Sequence, residues 1–372
     1  MAIQTSHVGS LPRSQKVVDY IFAREKGEAY NEIEFDKVMT EAVNDTVRKQ
    51  KKAGITIVSD GETSKISYAT YVKDRYHGFA GDSPRNAPAD LKKFPNYLQK
   101  LANDGGTPKY ARPMCVSKLE PKKNDDLIKD IDNLKKALKG NDIKKGFMNA
   151  ASPGVISLFL QNDYYPSRED YLEALSNLMQ SEYEMIVKSG LDLQIDCPDL
   201  ALSRHMLFND MTDDEFVKIA SINIESLNNA LRNIPKDKIR IHICWGNYEG
   251  PHVCDISISK MFETLMNVKT GHILFEAANP RHAHEWEVFE EKKNLIPDDL
   301  ILMPGVIDTT TNFVEHQNLV VQRLKNFTNI VGNERVIGSS DCGFGTFAGF
   351  GTIDPDIAYE KLKVLAEGAA KV

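Results

Sequence analysis

Short apolar stretches at 3–7, 55–59, 146–150, 191–195, 239–243, 272–275, 300–304 and 336–339 alternate with longer segments whose apolar residues recur at helical spacing. Continuous apolar runs of this length read as strands covered on both faces, as in a parallel sheet packed between helices. The segments between them carry helix signals. Ser167 caps a helix through Asp170, Leu172, Leu175, Leu178, Met179 and Ile186 share one face of it, and Gly190 ends it. Thr212 and Glu215 form a capping box ahead of Phe216, Ile219 and Ile222. This alternation predicts an α/β fold, a single (β/α)8 TIM barrel over residues 1–372, with its functional site at the C-terminal ends of the strands. A doubly wound open sheet is the alternative with the same element order. The span 78–145, rich in Pro, Asp and Lys, is too long for one crossover and is expected to be an insertion after the second strand unit, over the barrel mouth.

The chain is 41% hydrophobic and 27% charged, enough to bury a large core, and its net charge is -7. That charge argues against a nucleic-acid or anionic-membrane partner, because phosphate binding needs a basic surface. The lysines at 135–145 are mixed with Asp and Asn and read as a solvated helix face. Neither an apolar run near the roughly 20 residues of a membrane span nor a signal-peptide pattern is present, so a cytoplasmic location is expected. Cys115, Cys197, Cys244, Cys254 and Cys342 are odd in number and widely spaced, which suits reduced thiols or metal ligands better than disulfides.

Chemistry-bearing side chains gather where strands stop. His242 and Cys244 close Ile239-Arg240-Ile241-His242-Ile243-Cys244, and the strand period of two puts them on one face, about 7 Å apart along the chain. Glu276 ends a later stretch and Cys342 follows another. Zinc accepts such a mixed N, O and S set tetrahedrally and can exchange one ligand for a substrate, so Zn2+ is the expected cofactor. Buried core thiols and a hydrogen-bonded histidine are the competing reading. Ser10, Asp60-Gly61-Glu62 and Asp196-Cys197-Pro198-Asp199 follow other strands and either face the same pocket or serve as turns and caps. Tyr68, Tyr71, Lys73, Arg75 and Tyr76 either contact an anionic part of a substrate or form an exposed helix face.

These residues, in this order, resemble the C-terminal catalytic barrel of cobalamin-independent methionine synthase and the wider family of zinc-dependent thiol alkyltransferases. The resemblance covers nearly the whole chain. It rests on Thr5-Ser6-His7-Val8-Gly9-Ser10-Leu11-Pro12-Arg13, Asp60-Gly61-Glu62, Gln194-Ile195-Asp196, His242-Ile243-Cys244, Phe275-Glu276, Pro304-Gly305-Val306-Ile307-Asp308 and Asp341-Cys342-Gly343. It implies that His242, Cys244, Glu276 and Cys342 are zinc ligands and that Ser10, Glu62 and Asp196 hold the amino-acid part of a homocysteine-like thiol. The implied activity is a methyltransferase like the 5-methyltetrahydropteroyltriglutamate-homocysteine enzyme, in which a zinc-bound thiolate attacks an alkyl carbon and gives methionine.

Departures from the family bear on the alkyl donor. Asp308 is followed by Thr309-Thr310-Thr311-Asn312, where the family carries a proton-donating His, and Ser152-Pro153-Gly154-Val155-Ile156-Ser157-Leu158-Phe159 lacks the family's pterin-stacking Trp. Cys197 replaces a carboxylate, and the family's duplicate N-terminal barrel has no counterpart in these 372 residues. Methylfolate, a methylcorrinoid partner or an epoxide therefore all stay open as donors. Short relatives include the epoxyalkane:coenzyme M transferases, which form 2-hydroxyalkyl-coenzyme M, and this is the main alternative. Glu62 and Asp196 would attract the ammonium of homocysteine and repel the sulfonate of coenzyme M, unless Lys65, Lys73 or Arg75 turns inward. A metal-free uroporphyrinogen-decarboxylase-like barrel and a structural zinc protein are lesser alternatives.

Overall fold

The computed structural model describes residues 3–84, 87–103, 110–123, 125–351 and 353–372. Its strands are β1 (Gln4–Thr5), β2 (Tyr76–Ala80), β3 (Met114–Pro121), β4 (Phe147–Ala151), β5 (Asp192–Asp196), β6 (Ile239–His242), β7 (His272–Phe275), β8 (Ile301–Ile307) and β9 (Ile337–Ser340). Seven of them form one sheet in the order β1-β9-β8-β7-β6-β5-β4, and every pair in it is parallel. The sheet curls, and residues 55–58 span the gap between its edge strands. Ile57 N–H donates to Thr5 O at 3.0 Å, Val58 N–H donates to Lys145 O at 3.3 Å, and Phe147 N–H donates to Val58 O at 2.9 Å. The strand expected at 55–59 is therefore present only as a bridge, Val58 to Gly146. This arrangement is consistent with a TIM-like barrel.

Period-two alternation sorts the strand residues into two cores. Ile239 and Ile241 of β6 join the main apolar cluster with helix residues such as Leu175, Leu227, Leu324 and Leu365. A second cluster of Val8, Ile57, Phe147, Leu274, Met303 and Ile337 draws no member from a helix, and so marks the concave inner face. Each buried aliphatic side chain contributes about 1.5–3 kcal/mol relative to exposure, which holds the helical layer to the sheet. Helix ends follow the sequence signals. Ser167 Oγ accepts from Asp170 N–H at 3.0 Å at the start of the helix Arg168–Lys188, and Gly190 takes φ 95° just beyond it. Thr212 and Glu215 make the reciprocal capping box of Asp213–Ala230. Such caps are worth about 1 kcal/mol each.

The span 78–145 divides into unlike parts. β2 and β3 pair antiparallel outside the main sheet, an arrangement their irregular apolar pattern gave little sign of, and the short helices Ala89–Lys92 and Pro95–Asn103 lie between them in the chain. The helix Asp125–Gly140 buries Leu127, Ile131, Leu134, Ala137 and Leu138 and packs on the helix Glu32–Lys52. That last part is one of the helices of the outer layer.

Candidate metal centre

β6 delivers its two donors from one strand end. His242 O accepts from Cys197 N–H at 2.8 Å and Ile243 N–H donates to Leu274 O at 2.9 Å, so neighbouring strands hold the segment leading to Cys244. β9 brings Cys342 to the same point. Ligand atoms of His242, Cys244 and Cys342, all three side chains buried, lie within 4.8 Å of one another, and this is the one such cluster among the described residues. Cys244 Sγ and Cys342 Sγ are 3.8 Å apart. Two thiolates bound tetrahedrally to one ion at about 2.3 Å each would stand about 3.8 Å apart, so the sulfurs already have the spacing of a shared ion.

The imidazole is aimed by a carboxylate. His242 Nδ1 lies 3.1 Å from Asp196 Oδ1, while Nε2 is buried with no hydrogen-bond partner. Asp196 is itself fixed, Oδ2 by Asn149 Nδ2 at 2.9 Å and Oδ1 by Gln194 Nε2 at 3.2 Å. An orphaned buried ring nitrogen beside two thiols costs free energy unless something occupies the space between them, and a metal ion fits that demand. The Cys244 thiol is pushed far above the usual range by its hydrogen bond with Cys342 and by burial. Burial lowers the His242 pKa, but the bond to Asp196 outweighs it and the net shift is upward. A cation at the centre inverts both preferences, favouring thiolate and neutral imidazole.

Glu276, the fourth expected ligand, is buried beside this cluster but is not one of the three convergent donors. Its Oε1 accepts from Trp245 N–H at 3.0 Å and its Oε2 from Asn279 Nδ2 at 2.7 Å. Asp341, the neighbour of Cys342, gathers the chain after Glu276. Its Oδ1 accepts from Ala277 and Ala278 N–H at 2.9 and 2.8 Å, and its Oδ2 accepts from Asn279 N–H at 2.8 Å. Gly305 makes room for this, since a Cβ there would overlap the Asp341 carboxylate.

Ser10, Glu62 and Asp196 line the same cavity as His242, Cys244 and Cys342, a space of about 940 Å³. Ser10 Oγ sits where a Cβ on Gly343 would be, which accounts for glycine after Cys342. Glu62 stands in the left-handed region at φ 54°, with its N–H bonded to Asp60 Oδ1 at 3.0 Å. Burial pushes its carboxyl up to about 7, against the pull of Lys65 and with the push of Asp196. Arg13 ties the rim together by donating to Glu62 O at 2.6 Å, Lys65 O at 3.2 Å and Gly345 O at 2.5 Å.

The aromatic and basic cluster at 68–76 splits. Tyr68 lines the cavity. Tyr71, Arg75 and Tyr76 turn instead to Glu182, at 2.7, 2.9 and 3.2 Å, and Arg75 also meets Asp130 at 2.6 Å. Lys73 pairs with Glu25 and Asp74, both at 2.8 Å, and Lys65 Nζ donates to Asn149 O at 2.6 Å. Arg112 is the one Lys or Arg among the described residues lining the cavity, and its guanidinium lies 4.7 Å from the centre of the Phe159 ring. The outer wall includes Leu91, Leu98, Leu101 and Ala102 of the short helices. Asp90 pins them, its Oδ2 accepting from Tyr248 Oη at 2.8 Å and His252 N–H at 3.0 Å.

Sequence reasoning did not single out Asn149, Asn279 or the Trp245 amide, whose parts in the site are set by distant folding partners. Arg13 and Asp341 lay inside the quoted motifs without being assigned a part.

No protein-family model matches the chain. The methionine synthase of Thermococcus kodakarensis is 26% identical over 368 residues, covering 98% of this chain and 92% of that protein. The 2-hydroxypropyl-CoM lyase of Xanthobacter autotrophicus is 23% identical over 366 residues, covering 90% and 86%. Among solved structures, a B12-independent methionine synthase from Shewanella sp. W3-18-1 in complex with selenomethionine has a TM-score of 0.72 at 20% identity, covering 99% of this chain and 97% of that one. The resemblance read from the sequence is thus borne out along nearly the full length of the chain.

Proposed function

We propose that the protein is a zinc-dependent S-alkyltransferase that activates a small thiol, with homocysteine as the leading acceptor and methionine as the product. The observation that carries this reading is the convergence of a His242 ring nitrogen with two sulfurs 3.8 Å apart in the lining of a cavity. Similarity to a methionine synthase over almost the whole chain supports it. Zinc at such a site supplies the Lewis acidity that keeps a thiol deprotonated near neutral pH without abolishing its nucleophilicity. The residues of the chain do the rest. Asp196 fixes the His242 ring, while Glu62, with Asp196 beside it, offers negative charge to an ammonium group. Ser10 presents a hydroxyl to the same amino-acid moiety. The thiolate then attacks the alkyl carbon in line, so that a C–S bond forms as the bond to the donor breaks. The helices Ala89–Lys92 and Pro95–Asn103, within the span 78–145, serve as the cover that keeps water from this step.

Coenzyme M is the second acceptor, supported by similarity to the 2-hydroxypropyl-CoM lyase and by Arg112 in the cavity wall. Lys73 and Arg75 are paired with Glu25, Asp74, Asp130 and Glu182, which favours homocysteine, whereas Lys65 is buried and pulls on Glu62 and so offsets part of that preference. Zinc analysis with parallel titrations of homocysteine and coenzyme M, read by proton release and zinc-edge X-ray absorption, tests the proposal. About one bound zinc that gains a sulfur neighbour with homocysteine upholds it. A response to coenzyme M alone transfers the assignment to epoxide opening, and metal-free protein inert to both thiols ends it.

A further inference from the structure

The carboxylate of Glu276 has a place to stay that is not on the ion. Both of its oxygens are taken by hydrogen bonds, Oε1 by Trp245 N–H and Oε2 by Asn279 Nδ2. The donors themselves are fixed. Trp245 follows Cys244 in the chain, and its indole is held through Nε1 to Ile256 O at 2.6 Å. Asn279 is held at every polar atom of its side chain. Its Nδ2 also reaches Asp341 Oδ2 at 3.1 Å, and its Oδ1 accepts from Arg281 and His282 N–H at 3.0 and 3.1 Å. Asp341, the anchor of this turn, adjoins Cys342. The two donors that hold Glu276 are thereby built from the immediate neighbourhood of the two sulfur ligands.

We propose that Trp245 N–H and Asn279 Nδ2 form a docking seat for the Glu276 carboxylate, and that Asn279 is a positioning residue that sets how readily substrate thiol replaces Glu276 on the metal. This rests on the zinc–thiol reading above. With zinc bound and no thiol present, Glu276 would join His242, Cys244 and Cys342 in holding the ion. On entry of a thiol, whose proton would leave to solvent, the sulfur would take the place of Glu276, and the freed carboxylate would rest on the seat instead of remaining buried and unsatisfied. A buried carboxylate without partners is costly, so the seat contributes directly to thiol affinity. It contributes nothing to holding zinc in the resting state, and that separates a positioning role from a structural one.

The test uses the zinc-loaded full chain with Asn279→Ala and Asn279→Asp, the second keeping an oxygen for the Arg281 and His282 amides while removing the donor. Zinc affinity is measured by chelator competition, homocysteine affinity by calorimetry, and ligand identity by zinc-edge X-ray absorption. The expected result is zinc affinity equal to or tighter than that of the wild type, an unchanged thiol-free spectrum, and homocysteine affinity weakened about tenfold or more. In a Glu276→Ala background, Asn279→Ala should have no further effect on homocysteine affinity, because the seat then has no occupant. Zinc and thiol affinities falling together, or an equal loss of thiol affinity with and without Glu276, would overturn the proposal. A wild-type protein whose zinc gains no sulfur on adding homocysteine removes the thiol-exchange reading itself, and the seat with it.

Discussion

Asp196 Oδ1 lies 3.1 Å from Nδ1 of His242, so the only ring nitrogen left to face the two thiols is Nε2. Replacing this carboxylate by alanine frees the ring to rotate and to change tautomer. Asp196→Ala is therefore expected to weaken zinc affinity about 10–100-fold while leaving the fold intact, as losses of such supporting partners do. Chelator competition and circular dichroism on the same sample check both halves of this statement.

Cys342→Ser removes one of the three convergent donors without emptying the core around it. The variant should lose stoichiometric zinc and keep cooperative thermal unfolding. Chelation of the wild-type protein should lower the melting temperature only by the amount that ligand linkage allows, with no loss of secondary structure. Zinc analysis beside a melting curve decides this, and global unfolding on chelation would instead mark a closed structural site.

Burial that pushes Glu62 up to about 7 gives the site a pH signature. In the unfolded chain this carboxyl titrates near 4.5. Between the two values the folded state binds the extra proton, so the contribution to stability is greatest below about 4.5 and is lost as pH rises through about 7, a change of ~1–3 kcal/mol. Binding of the ammonium-bearing thiol should move the opposite way, strengthening as Glu62 ionises. Glu62→Gln should flatten both profiles, which chemical denaturation and calorimetry from pH 5 to about 8 would show.

Asp90 fastens the short helices to the loop that follows Cys244 through Tyr248 Oη and His252 N–H. Asp90→Ala leaves both donors without this partner and should loosen residues 89–103, seen as faster amide exchange there than in the strands. Weaker binding of the alkyl donor is expected, with homocysteine and zinc affinity near those of the wild type.

The strand ends could be read from period two and short apolar runs, and that was enough to place His242, Cys244 and Cys342 together. The pattern says which face a side chain occupies but not which rotamer it takes. Glu276 accordingly arrived at the right strand end and then turned to Trp245 and Asn279. Arg75 and Tyr71 were undecidable locally because their partner, Glu182, lies more than a hundred residues away in sequence. The pairing of β2 with β3 was invisible for a different reason. β2 mixes Tyr76, Phe79 and Ala80 with His77 and Gly78, β3 runs from Met114-Cys115-Val116 into polar residues broken only by Leu119, and the register shifts between His77 and Phe79, so neither shows the alternation that marks a half-buried sheet.

β9, which carries Cys342 at its end, is hydrogen-bonded on one side to β8 and on the other to β1, through Gln4 with Ile337 and Thr5 with Gly338. Without β9 only two of the three convergent donors, His242 and Cys244, can be brought together, too few for a tightly held ion. The third donor arrives with the docking of β9 between β8 and β1, and the pairing with β1 is a contact between residues more than 300 apart in sequence and slow to form for that reason. If the site holds zinc as proposed, the moment at which the ion becomes protected from chelator is expected to mark when the ninth strand docks beside the first.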